Sequence, residues 1–291
     1  MSKAGEAVAS LIAEASTSIP PDVEKALKSA RRREEKGSSA AVVLKTILDN
    51  CALARRGRTP LCQDTGTLAF YIDERLRRRF PPSVLKEGVA LATARGYLRK
   101  NCIDSVTGRS YDDNCADGAP VVHYVEGDSG AAPEITLVMK GGGSENMSRQ
   151  YSLPDASLGA GRDMAGVRRC ILDAVQKAQG YGCAPGILGV CIGGDRATGF
   201  EVAKEQLLRP LDERRKDDPE LRRMEKDVLA DANTLGIGPM GLGGRTTLLG
   251  VKIASRPRVP ASFFVTVAYM CWACRRRTIK VADGQGKGVL A

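Results

Sequence analysis

The sequence predicts a chain in which helices and strands interleave, with three helices ahead of the first strand. Two observations predict this. Apolar residues recur at helical spacing over residues 4–17, 22–30, 39–54, 82–101, 164–179 and 198–231. Between these stretches stand short apolar or alternating runs, at 67–72, 120–124, 134–139, 187–194, 246–253 and 261–269, which predict strands. Periodicity gives the elements and leaves their pairing open.

In the first helix the apolar positions are Val8, Leu11, Ile12 and Ala15. Two prolines within Ser18–Asp22 end it, and the second helix starts at Pro21 or Asp22 and runs through Val23, Ala26, Leu27 and Ala30. Gly37-Ser38-Ser39 opens the third, through Leu44, Ile47 and Leu48 to Ala54. These helices deliver the chain to Thr59-Pro60-Leu61-Cys62-Gln63-Asp64-Thr65-Gly66, which has neither period and reads as an ordered loop. A cysteine there is either packing or a ligand, because the apolar strand 67–72 follows at once. A helix over 82–101 comes next, then a polar loop from Asp104 to Gly118. The runs at 120–124 and 134–139, around Gly127–Gly130, predict a β-hairpin.

The second of these runs ends in Lys140-Gly141-Gly142-Gly143-Ser144-Glu145-Asn146. Consecutive glycines let a backbone approach closely, and their amides can cradle a carboxylate or phosphate; a flexible turn is the plain alternative. After the helix at 164–179, Gly180-Tyr181-Gly182-Cys183-Ala184-Pro185-Gly186 again places a cysteine in a Gly/Pro loop beside an apolar strand. The charged helical stretch 198–231 is interrupted near Pro210 and Pro219. Gly236-Ile237-Gly238-Pro239-Met240-Gly241 fits G-x-G-x-x-G, but no strand leads in and no helix start follows, so it does not predict a dinucleotide site. The last apolar strand ends in Met270-Cys271-Trp272-Ala273-Cys274-Arg275-Arg276-Arg277, and Asp283–Gly288 form a polar tail.

Composition narrows the chemistry. Net charge is +10 and the pI about 9.2, which admits anionic partners, while 4% aromatic residues argue against stacking platforms for nucleobases. Arginines cluster at 31–33, 75–79 and 275–277; acidic neighbours make the first two solvated faces. Only one histidine, His123, is present, within the strand pattern Val121–Val125, and it reads as structural; a zinc site with two histidines within one chain is thereby excluded. Nine cysteines, no apolar leader at Met1–Glu6 and no run of membrane-span length predict free thiols in a reducing cytoplasm. Cys271-Trp272-Ala273-Cys274 is formally C-x-x-C, but it lacks the strand–helix setting of a thioredoxin motif and the second pair of a zinc ribbon. Cys62, Cys183 and Cys271 share one environment instead, the junction of an apolar strand and a loop. Three separated thiolates can hold three irons of a cubane cluster and leave the fourth open as a Lewis acid.

These motifs (Pro60-Leu61-Cys62-Gln63-Asp64-Thr65-Gly66, Lys140–Asn146, Cys183-Ala184-Pro185 with Gly189–Gly194, Gly241–Thr247 and Cys271-Trp272-Ala273) resemble those of the iron–sulfur hydro-lyases, the class I fumarate hydratases and L(+)-tartrate dehydratases. The chain is similar to their α subunit, or to the N-terminal domain of the single-chain form. The resemblance implies an α+β fold, a mixed β-sheet surrounded by many α-helices. It implies a single domain over 1–291, with a helical lead-in at 1–58, a cluster-binding core at 59–282 and a tail at 283–291. It also implies a 4Fe–4S cluster on Cys62, Cys183 and Cys271, catalytic roles for Gln63 and Asp64, and substrate contacts at Gln63, Asp64, Arg99, Gly141, Gly142 and Gly143. Reversible hydration of fumarate to (S)-malate is the expected activity, with L(+)-tartrate dehydration or a non-catalytic iron–sulfur sensor as the alternatives. A β subunit would bring the catalytic base, giving a hetero-oligomer acting on a small dicarboxylate, with no nucleic-acid or membrane partner. One departure stands out. The family places a substrate-contacting histidine twelve residues before the third cysteine, where this chain has Val259, expected to be buried; Arg258 beside it is the candidate substitute.

Overall fold

The computed structural model describes residues 2–213, 218–281 and 289–290; the tail at 283–288 lies outside the described residues. The chain divides into two compact units, each assembled from distant segments. Unit 1 comprises Met1–Pro20, Asp49–Gly142 and Ala273–Ala291, and unit 2 comprises Pro21–Leu48 and Gly143–Trp272. In chain order the elements begin with helices α1 (Lys3–Thr17), α2 (Pro21–Arg33) and α3 (Ser39–Gly57), strand β1 (Thr67–Asp73), helix α4 (Pro82–Ala94), and the short strands β2 (Cys102–Ile103) and β3 (Ser110–Tyr111). Strands β4 (Val121–Val125) and β5 (Glu134–Lys140), helix α5 (Gly142–Glu145), strand β6 (Arg149–Ser152), helix α6 (Met164–Ala178), strand β7 (Gly186–Gly193) and helices α7 (Arg196–Gln206) and α8 (Pro219–Ala232) follow. Strands β8 (Leu248–Arg256), β9 (Phe264–Met270), β10 (Arg275–Lys280) and β11 (Val289–Leu290) complete the chain. The α+β class expected from the resemblance holds.

Unit 1 is built on a five-stranded mixed sheet ordered β11-β10-β5-β1-β4. β1 runs parallel to β4 and antiparallel to β5. The expected hairpin of β4 and β5 is therefore absent, because β1 lies between them. Crossing one strand takes about 10 Å, well within reach of residues 126–133, and the apolar β1 gains burial by taking the middle position. Helices α1 and α4 cover the sheet with Val8, Leu11, Ile12, Leu85 and Val89, packed with Phe70, Ile72, Ile135 and Leu137. Gly88 lets the two helices close up, since a Cβ there would lie 2.4 Å from Val8. α4 ends at Ala94, seven residues before the spacing suggested. Gly96 takes a left-handed φ of 77°, and the amides of Gly96 and Tyr97 return to the carbonyls of Thr93 and Ala92, a glycine stop of the Schellman type.

Unit 2 carries a four-stranded sheet ordered β6-β9-β7-β8, with β7 parallel to β8 and antiparallel to β9. Every residue of β7 is buried, as its unbroken apolar run requires. Its core joins Val167, Ile171 and Val175 of α6, Val228 of α8, and Leu188, Val190, Ile253, Val265 and Val267 of the sheet. The break near Pro210 and Pro219 is real: α8 opens on Pro219, with the Asp218 carboxylate accepting from the Leu221 amide. No described helix is long and apolar enough to cross a membrane.

Candidate functional site

In unit 1 the loop 59–66 leads into β1. Leu61 anchors it, its amide donating to the Ser16 carbonyl and its carbonyl accepting from Asn50. Gly66 ends it at φ 72°, where a Cβ would lie 2.4 Å from the Lys140 carbonyl oxygen, so only glycine lets loop and glycine run touch. The half-buried Cys62 thiol accepts from the Asp64 amide at 3.4 Å. The Asp64 carboxylate accepts three N–H groups: Gly66 at 2.9 Å and Asn101 Nδ2 at 3.2 Å on Oδ1, and the Gly142 amide at 2.7 Å on Oδ2. Gln63 is exposed at the turn between them.

Asn101 reaches Asp64 because the segment 99–102 is pinned from behind. Asn114, buried and left-handed at φ 61°, accepts from the amides of Asn101 and Cys102 and donates to the Arg99 carbonyl and Thr93 Oγ1. The Arg99 carbonyl also receives the Thr65 hydroxyl at 2.7 Å, while the Arg99 side chain is exposed. Beside these groups lies a cleft of about 320 Å³, bordered by Asp64, Asn101, Cys102, Asn114 and Gly142.

The three glycines differ. A Cβ on the buried Gly141 would lie 2.8 Å from Asp64 Oδ2, and the Gly142 amide is engaged by that carboxylate. At Gly143 a Cβ would meet only the Tyr181 carbonyl, at 3.8 Å.

In unit 2 the Cys183 turn and the end of β9 come together. Cys183 is left-handed at φ 53°, uncommon for a side-chain-bearing residue and a form of local strain that clusters at functional sites. Its carbonyl accepts from the Trp272 amide at 3.2 Å. The buried Tyr269 ring fills the space under the turn, where a Cβ on Gly182 or Gly186 would enter it. Burial, and next the negative charge that Cys271 and Cys183 can carry, push the Tyr269 phenol well above its usual range. The glycine-rich 236–244 segment backs this turn: Met240 donates its amide to the Ala184 carbonyl, and Gly180 sits against Met240 and Gly241 without room for a Cβ.

Arg258, on the loop between β8 and β9, stacks on the Phe263 ring at 4.2 Å. Its Nη1 donates to the carbonyls of Val259, Pro260 and Ser262. Val259 is 64% exposed, not buried as expected, because it lies in this turn rather than on a strand.

The remaining cysteines separate from the candidate three. Cys51, Cys170, Cys191 and Cys274 are buried, and no disulfide forms. Burial pushes the Cys115, Cys170 and Cys191 thiols up to about 11, which makes them poor ligands and nucleophiles. Cys102 is raised as well, by burial first and Asp113 next. Among the described residues, no three His, Cys, Asp or Glu side chains are gathered tightly enough to hold a metal ion; Cys183 and Cys271 both belong to unit 2.

Asn101, Asn114, Tyr269 and Arg275 were not expected at the site. The Asp112-Asp113-Asn114 stretch carried a usable turn signal for Asn114. Arg275 lay hidden in a basic triplet that is in fact strand β10, with Arg275 2% and Arg276 7% exposed. His123 stacks on Tyr71 at 4.7 Å across the β1–β4 pair, a packed strand residue.

A family model described as fumarate hydratase (Fumerase) matches residues 5–280. The chain belongs to that family. It is 44% identical to a Geobacillus stearothermophilus protein that carries the provisional name fumarate hydratase class I, over 99% of this chain and 56% of that one. A Methanocaldococcus jannaschii protein, provisionally named L(+)-tartrate dehydratase subunit alpha, is 34% identical over 94% of this chain and 96% of its own length. The L(+)-tartrate dehydratase subunit alpha of Escherichia coli K12 is 31% identical over 97% and 91%. The chain thus spans about half of the first relative and nearly all of the other two.

Proposed function

We propose that this chain is the cluster-bearing subunit of a hydro-lyase that reversibly hydrates fumarate to (S)-malate. The observation that carries the reading is the Asp64 carboxylate, fixed by three N–H donors two residues beyond the half-buried Cys62 thiol. Three thiolates are the kind of donor set that a 4Fe–4S cluster with one open iron takes. Cys62, Cys183 and Cys271 are half-buried and lie in loops next to strands, the Trp272 amide that follows Cys271 donates to the Cys183 carbonyl, and the chain's one histidine lies in strand β4. Bound there, the cluster supplies an open iron as a Lewis acid for a hydroxyl and a carboxylate.

The rest of the chemistry falls to side chains. Arg99 offers an exposed guanidinium, its backbone tied to the loop through Thr65, and a guanidinium grips a carboxylate bidentately. Gln63 contributes an amide able to donate and accept on the exposed side of the turn. Asp64, acceptor-only while ionised, orients a substrate hydroxyl or water. The glycine run serves chiefly to let Asp64 sit close, which engages the Gly142 amide. The base that moves the carbon-bound proton belongs to a partner β subunit; the Geobacillus protein, of which this chain spans 56%, has length for such a part in one chain. We further place the assembly in the cytoplasm, as a hetero-oligomer acting on a small dicarboxylate.

L(+)-tartrate dehydration is the second reading, favoured by the full-length match to subunits of that name. One experiment separates them. The chain is co-expressed with its partner subunit, given iron and sulfide under anaerobic conditions, and assayed with fumarate, (S)-malate and L(+)-tartrate. Turnover of fumarate and malate with tartrate inert supports the first reading, and the reverse pattern the second. Inertness toward all three in a preparation that carries its cluster ends both.

A further inference from the structure

Buried cations need a reason, and Arg275 is the largest fully buried side chain among the described residues. It stands at the start of β10, opposite Met139 of β5, in unit 1. Its Nη1 donates at 2.6 Å to the backbone carbonyl of Asp64. Its Nη2 and Asp64 Oδ2 both lie within 3.6 Å of the point a Gly141 Cβ would occupy. Its Nε is buried without a hydrogen-bond partner. A buried guanidinium with an unpaired donor costs stability on its own account, and an apolar residue of equal size would serve a sheet core better.

The geometry points to a positioning role: we infer that Arg275 holds the Cys62–Asp64 turn from beneath. The Asp64 residue is grasped at its carbonyl by Arg275, while its amide donates to the Cys62 thiol. Fixing that one peptide therefore sets the direction of a thiol and of a carboxylate together. A planar fork does this where an ammonium cannot, because Nη1 and Nη2 face two different chain segments, the Asp64 carbonyl and the Gly141 corner. The kinetic consequence rests on the hydro-lyase reading; the grip on the turn does not.

The test has two arms. In the chain without cluster, alkylation of Cys62 by iodoacetamide is timed by peptide mass spectrometry, with the buried Cys170 as internal reference. Arg275→Lys and Arg275→Met should each speed Cys62 labelling severalfold. Thr278→Val, which removes the Thr136–Thr278 hydroxyl contact from the same strand, should destabilise the sheet and leave the rate unchanged. In the assembled enzyme, Arg275→Lys should lower kcat by about tenfold or more, since small misplacements of a reacting group are costly. KM should move little and iron content should stay at the wild-type level. Wild-type Cys62 labelling in both folded Arg275 variants overturns the inference. So does failure of both to fold, which would make Arg275 a fold residue only. Faster labelling in a chain whose wild type hydrates nothing sustains the grip and overturns the hydro-lyase reading instead.

Discussion

Gly141→Ala isolates the closest contact of the candidate site. One methyl group is added at a position whose backbone is not left-handed, so collision alone is at issue. The new Cβ would lie 2.8 Å from Asp64 Oδ2, nearer than real side chains tolerate, and 3.5 Å from its Cγ. Either the carboxylate turns away or the glycine run lifts. Both routes break the 2.7 Å bond from the Gly142 amide to Oδ2. A hydrogen bond to a charged group contributes about 1.5–3 kcal/mol. If all of it is lost where the reaction needs the carboxylate, kcat/KM should fall about tenfold to 150-fold. Urea unfolding should show a loss of the same order in unit 1. The decisive comparison is a double-mutant cycle with Asp64→Ala, which removes the group struck. On that background the nearest remaining neighbour of the methyl is Arg275 Nη2 at 3.6 Å, an ordinary contact, and the change should cost less than about 0.5 kcal/mol. Equal costs of Gly141→Ala with and without the Asp64 carboxylate would refute the reasoning.

Further outcomes are expected from other residues. Cys62→Ser, Cys183→Ser or Cys271→Ser should each abolish iron and sulfide binding, measured on anaerobically reconstituted protein. Cys274→Ser should keep the cluster, because Cys274 is buried and accepts from Arg276; a dispensable Cys271 with an essential Cys274 would reverse the ligand assignment. Val259→His should raise fumarate kcat/KM by about tenfold if a donor at that exposed loop position reaches substrate, and no gain there means the loop contributes no contact. Arg258→Ala should loosen the same loop, seen as faster proteolysis between β8 and β9, because three carbonyls lose their donor. Asp73 predicts an acid limit. The Arg75 guanidinium holds its carboxyl below the usual range, so its stabilisation is complete above about pH 4 and fades as pH falls through the lowered folded value. Asp73→Asn should therefore cost stability at pH 7 and progressively less toward pH 3, by urea midpoints; a pH-independent difference would contradict this.

What could be read in the sequence follows from what each signal measures. α6 was legible because its apolar stripe is long and Asp163 caps it, accepting from the Gly166 amide. The Cys62 and Cys183 loops were legible as glycine- and proline-punctuated breaks beside apolar runs. Pairing was not, because periodicity reports which face of a strand is buried and says nothing of its neighbour; β1 between β4 and β5 is the result. β10 was missed for a different reason. Its Arg-Arg-Arg-Thr-Ile-Lys sequence looks like a solvated surface, yet two of those arginines are buried, one of them on the Asp64 carbonyl. The polar residues that shape the carboxylate's surroundings, Asn101 and Asn114, work through backbone contacts that leave only the faint turn signal at Asn114.

The segmentation of unit 1 has a consequence for its birth on the ribosome. Its sheet takes β1, β4 and β5 from the first half of the chain and β10 from the last twenty residues. During synthesis β5 therefore waits as an unpaired edge while all of residues 143–272 is made, and open edges invite pairing with other chains. The Asp64 turn waits with it, since the guanidinium that grips its carbonyl arrives at position 275. Loading of any metal group on Cys62 thus belongs after residue 275 has been made, and a nascent chain stalled after Trp272 should aggregate rather than mature.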